Sequence, residues 1–268
     1  METVPLAAVL GAFIGLVLAL TGAGGGVLAI PLLVFGLHLP VQQAAPVGLV
    51  AVGLAAALGA ALGLSQGIVR YRAAALIGLA GMCVAPIGVA AAQRLPNRPL
   101  LAAFAAVLIY TAMRMLRKPA DVLPEPQRQP CRIEEGQAQL SWTRHCFRAL
   151  LGTGLASGFL SGLLGVGGGF VIVPALKRHT NLSMPTIQAT SLAVIALVSF
   201  SGVTAAAIQG TVPWAIGLPF SAGAACGLLI GRQFATKLNA QILQSAFAWF
   251  SLLVAVLMLA RAFGWLQT

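Results

Sequence analysis

Six long stretches of this chain, residues 46–64, 73–92, 100–113, 187–208, 212–230 and 242–259, contain no Asp, Glu, Lys or Arg. A bilayer hydrocarbon core about 30 Å thick takes roughly 20 apolar residues of helix per crossing. No water-soluble core in a chain of 268 residues hides six such segments. Hydrophobic residues make up 59% of the chain and charged ones 8%, so lipid must cover much of the apolar surface. The expected fold is an all-α polytopic membrane protein.

Before Arg70 the only charge is Glu2, a pattern unlike a cleaved signal peptide, so the N-terminal region is expected to belong to the fold. The net charge of +11 points to topology rather than to a polyanion, because the basic residues form no aromatic-interleaved module. No nucleic-acid partner is expected. Cys83, Cys131, Cys146 and Cys226 show no metal-ligand spacing, and neither a disulfide framework nor a zinc site is expected from them.

The chain is also internally repeated. Residues 11–31 read GAFIGLVLALTGAGGGVLAIP and residues 154–174 read GLASGFLSGLLGVGGGFVIVP. Gly11, Gly15, Gly22, Gly24, Gly25, Gly26 and Pro31 fall on Gly154, Gly158, Gly165, Gly167, Gly168, Gly169 and Pro174. After a small insertion Gln43 meets Gln188, Gln66-Gly67 meets Gln209-Gly210, and Cys83 and Phe104 meet Cys226 and Phe247. The organisation read from this is a first transmembrane repeat over 1–116, a polar cytoplasmic linker over 117–147, and a second repeat over 148–268. Four of the five acids, Asp121, Glu125, Glu134 and Glu135, lie in the linker, so no span carries a carboxylate.

Each half opens on an apolar region broken by TGAGGG or LGVGGG. Glycine costs about 1 kcal/mol relative to alanine in a helix interior, and three together predict an unwound segment inside a broken or re-entrant helix. Irregular backbone at membrane depth is tolerated where protein buries it or where it lines a wet cavity. Glycine amides at a half-helix N-terminus supply a polar lining that favours an anion. The competing reading is close helix packing through small residues, which suits Gly11/Gly15 and Gly154/Gly158 better than the triple glycines. A nucleotide loop is excluded, since neither motif ends in Gly-Lys-Ser/Thr nor follows a strand.

Charge gives the orientation. If the glycine regions cross fully, the halves run parallel and ten basic residues lie inside against six outside. If they re-enter, each half has three further spans, the halves are inverted repeats, and thirteen basic residues lie inside with only Arg94, Arg98 and Arg261 outside. The inverted arrangement fits the positive-inside rule better.

Paired GxGGG segments, each followed five residues on by a proline and then by Ala44-Ala45-Pro46 or Ala189-Thr190-Ser191, resemble the sulfite exporter TauE/SafE family, also called the toluene-sulfonate uptake permease family. The resemblance implies a multi-pass protein of the bacterial inner membrane that moves a small sulfur-containing anion, sulfite or an organosulfonate. The first half departs from the pattern, having Ala45-Pro46 where the second has Thr190-Ser191 and so fewer hydroxyls. Candidate substrate contacts are Thr21, Gly22, Gly24, Gly25, Gly26 and Gln43 in the first half. In the second they are Gly165, Gly167, Gly168, Gly169, Gln188, Thr190 and Ser191.

Cys83 and Cys226 are read as packing residues with a lesser claim as S–H donors, and His38 and His179 as interfacial. Beyond the anion and the bilayer no partner is specified, and a homo-oligomer is left open. Neither cofactor nor metal is expected, and with no acid, Ser/His pair or metal cluster in a span an enzyme is not. The alternative to a transporter is a non-transporting membrane scaffold or assembly factor, which would depend on the linker.

Overall fold

The computed structural model describes residues 3–21, 25–116, 131, 143–235 and 240–263. The first half contains α1 (Thr3–Thr21), a 3-10 turn (Gly25–Leu28), α2 (Ala29–Gly36), α3 (Val41–Ser65), α4 (Tyr71–Arg94) and α5 (Asn97–Leu116). The second contains α6 (Arg144–Leu164), α7 (Gly169–His179), α8 (Met184–Ile208), α9 (Trp214–Ala235) and α10 (Ala240–Ala262). The chain is thus an all-α polytopic membrane protein, with six helices among the described residues long and apolar enough to cross a bilayer. One of them is α6, expected to be only an arm of a broken segment, whereas α5 falls among the shorter apolar helices.

The repeat seen in the sequence recurs as local geometry. The Gln-Gly pairs that close α3 and α8 are built alike. Gln66, Gly67 and Ile68 donate to the carbonyls of Leu62, Leu64 and Gly63, and Gln209, Gly210 and Thr211 to those of Ala205, Ala207 and Ala206. Both glycines are left-handed, at φ 69° and 66°, the conformation that lets a helix end within a residue or two.

The glycine turns double the chain back. A methyl placed on Gly36 at the end of α2 would lie 2.9 Å from the Leu10 Cδ1 atom, halfway along α1. At 1.5 Å per residue α2 and α7 are roughly 12 and 17 Å long, too short to cross.

The halves are interleaved. α1 packs along α9, and α6 along α4, each first helix lying on the fourth α-helix of the other half. Both seams are made by small residues, with Gly11 and Gly15 against Phe220 and Ala224, and Gly154, Gly158 and Gly162 against Ile77, Gly81 and Ala85. The packing role expected of these glycines is the one they have.

Helices α3 and α8 cross antiparallel at the centre, since Gly53 meets Ser199, Gly59 meets Leu192 and Gly63 meets Ala189. α6 runs parallel to α4, and α1 parallel to α9. It follows that α1 and α6 enter from opposite ends of the bundle.

One end gathers Arg70, Arg72, Arg144, Arg148, Lys177, Arg178 and Arg232. The Arg70 amide donates to the Thr190 Oγ1 atom there, joining the starts of α4 and α8. The other end carries Arg94, Arg98 and Arg261. There the Val41 amide donates to Asn97 Oδ1, Gln42 Nε2 to the Leu95 carbonyl, and Arg261 Nη1 to the Val34 carbonyl.

Two expectations about cysteine are corrected. Cys131 and Cys146 form a disulfide across a separation of 15 residues. Both are fully buried, and the Cys131 amide donates to the His179 carbonyl, which ties the linker to the ends of α6 and α7. The linker held no visible signal because nothing in a 15-residue spacing distinguishes a bridged pair from an unbridged one. Cys83 and Cys226 are exposed on the outer surface of the bundle rather than packed, which also removes them from any central site. That surface is covered by large apolar side chains such as Phe200, Ile208, Trp249 and Leu253, as lipid contact requires.

Candidate functional site

The second glycine motif is a buried turn from the end of α6 to the start of α7. Gly165 closes α6 at φ 70°, its amide donating to the Ser161 carbonyl. Gly167 and Gly168 follow at φ 79° and 75°, conformations that cost a residue with a Cβ about 1–2 kcal/mol each. Residues 165–169 are all buried.

α7 then starts with Gly168 as its N-cap and no side chain to cap it. The Gly168 carbonyl accepts from the Val171 and Ile172 amides. Among the described residues, the amides of Gly167, Gly168, Gly169 and Phe170 have no hydrogen-bond partner. A helix leaves its first N–H groups unsatisfied and carries partial positive charge at that end. Here both features are held inside the bundle.

The first motif comes to meet it. Gly26 lies in the 3-10 turn, and a methyl on it would sit 2.7 Å from the Val166 carbonyl oxygen and 3.1 Å from Val52 Cγ1. Gly48 on α3 faces the Gly165 carbonyl at 2.7 Å in the same measure, and Gly165 lies directly on the Ala45 backbone. A methyl on Gly167 would meet Ile195 Cγ2 at 2.8 Å, Val52 Cγ1 at 2.9 Å and Ser199 Oγ at 3.6 Å. Gly26 and the LGVGGG turn therefore converge on the crossing of α3 and α8, near the middle of both helices. Of the expected first-half contacts, Gly22 and Gly24 lie outside the described residues, as does the side chain of Thr21 that ends α1, while Gly25 opens the 3-10 turn.

The remaining expected residues are dispersed. Gln43 is exposed in the first turn of α3, and Gln188 is half-buried near the start of α8, which antiparallel packing puts at the opposite end of the bundle. Thr190 Oγ1 accepts the Arg70 amide, so that oxygen holds a helix start in place. Ser191 is fully buried and its hydroxyl has no partner.

Sequence reasoning missed three serines around the second turn. Ser157 donates to the Gly154 carbonyl. Ser161, on the last turn of α6, and Ser199, on α8 beside Gly167, are fully buried with unpartnered hydroxyls. By the repeat, Ser157 and Ser161 stand where the first half has Ile14 and Leu18, and counting back from the Gln-Gly turns Ser199 stands where it has Ala56. The signal lay in where the halves differ, not in where they match.

No cluster of metal-ligating side chains occurs among the described residues, and none of the five acids falls among them. At the basic end, burial and then the neighbouring Arg178 charge hold the His179 imidazole below its usual pKa.

Comparison with known proteins places these features in a wider set. The family model described as Sulfite exporter TauE/SafE matches residues 7–258. A probable membrane transporter protein of Xylella fastidiosa strain Temecula1 is 31% identical over 263 residues, covering 95% of this chain and 94% of its own. The probable membrane transporter protein YdhB of Bacillus subtilis is 25% identical over 233 residues, covering 87% and 91%. No solved structure matches significantly.

Proposed function

The chain belongs to the sulfite exporter TauE/SafE family and is a multi-pass membrane transporter, and from that premise we propose that it is a secondary carrier of a small sulfur oxyanion, sulfite or an organosulfonate. The observation that carries this reading is the meeting of Gly26 with the Val166 carbonyl at the α3/α8 crossing, beside a buried helix N-terminus whose amides have no partner. Such a terminus attracts an anion, and burial strengthens every dipole aimed at it.

The two halves act as inverted repeats about that crossing. Support comes from the antiparallel course of α3 and α8 and from the entry of α1 and α6 at opposite ends. Rocking one half against the other exposes the glycine turns first to one side and then to the other, the plan of many carriers built from inverted repeats. The seams that slide are lined by glycine and alanine, so backbones move past one another without large side chains interlocking.

The basic end faces the cytoplasm, as the charge bias requires. The buried Cys131–Cys146 bridge lies at that same end, where disulfides are uncommon. Its complete burial keeps soluble thiols away.

With no carboxylate among the described residues, coupling rests on the substrate's own protonation or on an ion held by backbone carbonyls. Replacing Gly168 or Gly25 by valine tests the site. The full-length variants should insert and purify as the parent does, yet lose uptake of labelled sulfite in proteoliposomes; normal flux in both would refute the assignment.

A further inference from the structure

We propose that the α7 N-terminus and Ser199 form an electrically neutral seat for one singly charged oxyanion, built from the second half of the chain alone. This deepens the transporter reading above and rests on it.

The seat follows from two independent facts. The first is the set of unpartnered amides at Gly167–Phe170, inside a buried left-handed turn. The second is Ser199, which comes from a different helix, is fully buried, has no hydrogen-bond partner and lies beside Gly167. Leaving a buried hydroxyl and several amides unsatisfied is costly, and such groups are ordinarily found paired. An oxyanion answers both deficits at once, because its oxygens accept from N–H and O–H alike. Ser161, on the turn that leads into Gly165, adds a second unpartnered hydroxyl.

The first half does not repeat these two hydroxyls. Where the second half has Ser161 and Ser199, it has Leu18 and Ala56. It contributes a cover instead, through Gly26 and Val52. A seat built this way lies off the pseudo-symmetry axis.

The seat also selects by charge. Its donors are amides and hydroxyls, and the described Lys and Arg residues sit at the ends of the helices. The cost of removing an ion from water rises with the square of its charge, so a dianion loses about four times what a monoanion loses. The attraction of fixed dipoles grows only in proportion to charge, so the balance favours the monoanion. A sulfonate or hydrogensulfite therefore fits better than sulfate.

The test uses the full chain in proteoliposomes, with labelled methanesulfonate as the monoanion and labelled sulfate as the dianion. The parent should take up methanesulfonate on the order of a hundredfold more efficiently than sulfate. Ser199→Ala should raise the KM for methanesulfonate about ten- to a hundredfold, the range for one hydrogen bond to a charged group. It should also raise the apparent Tm of the ligand-free protein, because it removes an unsatisfied buried hydroxyl. Ser161→Ala should shift KM in the same direction. Ser251→Ala, which removes another unpartnered buried hydroxyl on α10, should raise Tm and leave KM alone.

An unchanged KM in both Ser199→Ala and Ser161→Ala overturns the seat while leaving the carrier reading intact. Equal uptake of sulfate and methanesulfonate overturns charge selection. A parent protein that moves neither anion overturns the seat together with the reading beneath it.

Discussion

Replacing Gly158 by alanine should cost stability, and replacing Gly152 by alanine on the same helix should add it. At Gly158 the new Cβ would lie 2.5 Å from the Gly81 Cα and 2.7 Å from its carbonyl carbon. That is about 1 Å inside the ~3.5–4 Å optimum for carbon–carbon contact. The atoms met are backbone of the facing helix, so no side chain can rotate away and α4 and α6 must part. Overpacking of this kind costs about 1–3 kcal/mol, against which alanine regains about 1 kcal/mol in helix propensity. The net is a loss of up to about 2 kcal/mol, and at roughly 2–4 °C per kcal/mol for a chain of this size Tm should fall by several degrees. Gly152 is exposed, and a Cβ there meets no heavy atom within 4 Å, so only the propensity gain remains. Heating detergent-purified variants and measuring the monodisperse fraction by size-exclusion chromatography gives both shifts. Equal or inverted shifts would refute the backbone-to-backbone seam between α4 and α6.

Thr190→Val should lower stability by about 1 kcal/mol, the worth of the hydrogen bond that its oxygen accepts from the Arg70 amide. Substrate KM should stay at the parent value; a large KM increase would return Thr190 to the binding site. The double variant Cys131→Ser/Cys146→Ser should lose about 3 kcal/mol, the chain-entropy value for a loop of this length. Non-reducing peptide mapping of the parent should recover Cys131 and Cys146 in one cross-linked fragment, and their recovery only as separate free thiols would contradict the bridge. Shortening the linker within 117–130, which leaves both cysteines in place, should preserve anion flux, whereas loss of an assembled partner complex with flux intact would favour the scaffold alternative.

The repeat and the spans were legible because lipid imposes a simple rule: long uncharged stretches must be helices. The glycine breaks were legible too, since TGAGGG and LGVGGG carry a helix-breaking cost that no neighbouring residue offsets. What stayed hidden was tertiary. Nothing along the chain states that α1 lies on α9 rather than on its own neighbours, because glycine and alanine seams fit any close partner. Gln43 and Gln188 matched by repeat position, yet antiparallel packing of α3 and α8 sends matched positions to opposite ends, so symmetry in sequence did not mean proximity in space. Ser199 and Ser161 looked like ordinary serines of membrane helices, which commonly bond their own backbone. Only their burial without partners sets them apart, and that is a property of packing.

The most direct measurement is saturable flux by the purified full-length chain. Proteoliposomes loaded with unlabelled sulfite and given labelled sulfite outside should accumulate label by exchange. Exchange that saturates and disappears in Gly168→Val is the predicted result. Absence of exchange for sulfite and for every organosulfonate offered, in liposomes that contain correctly folded protein, would contradict the sulfur-oxyanion account.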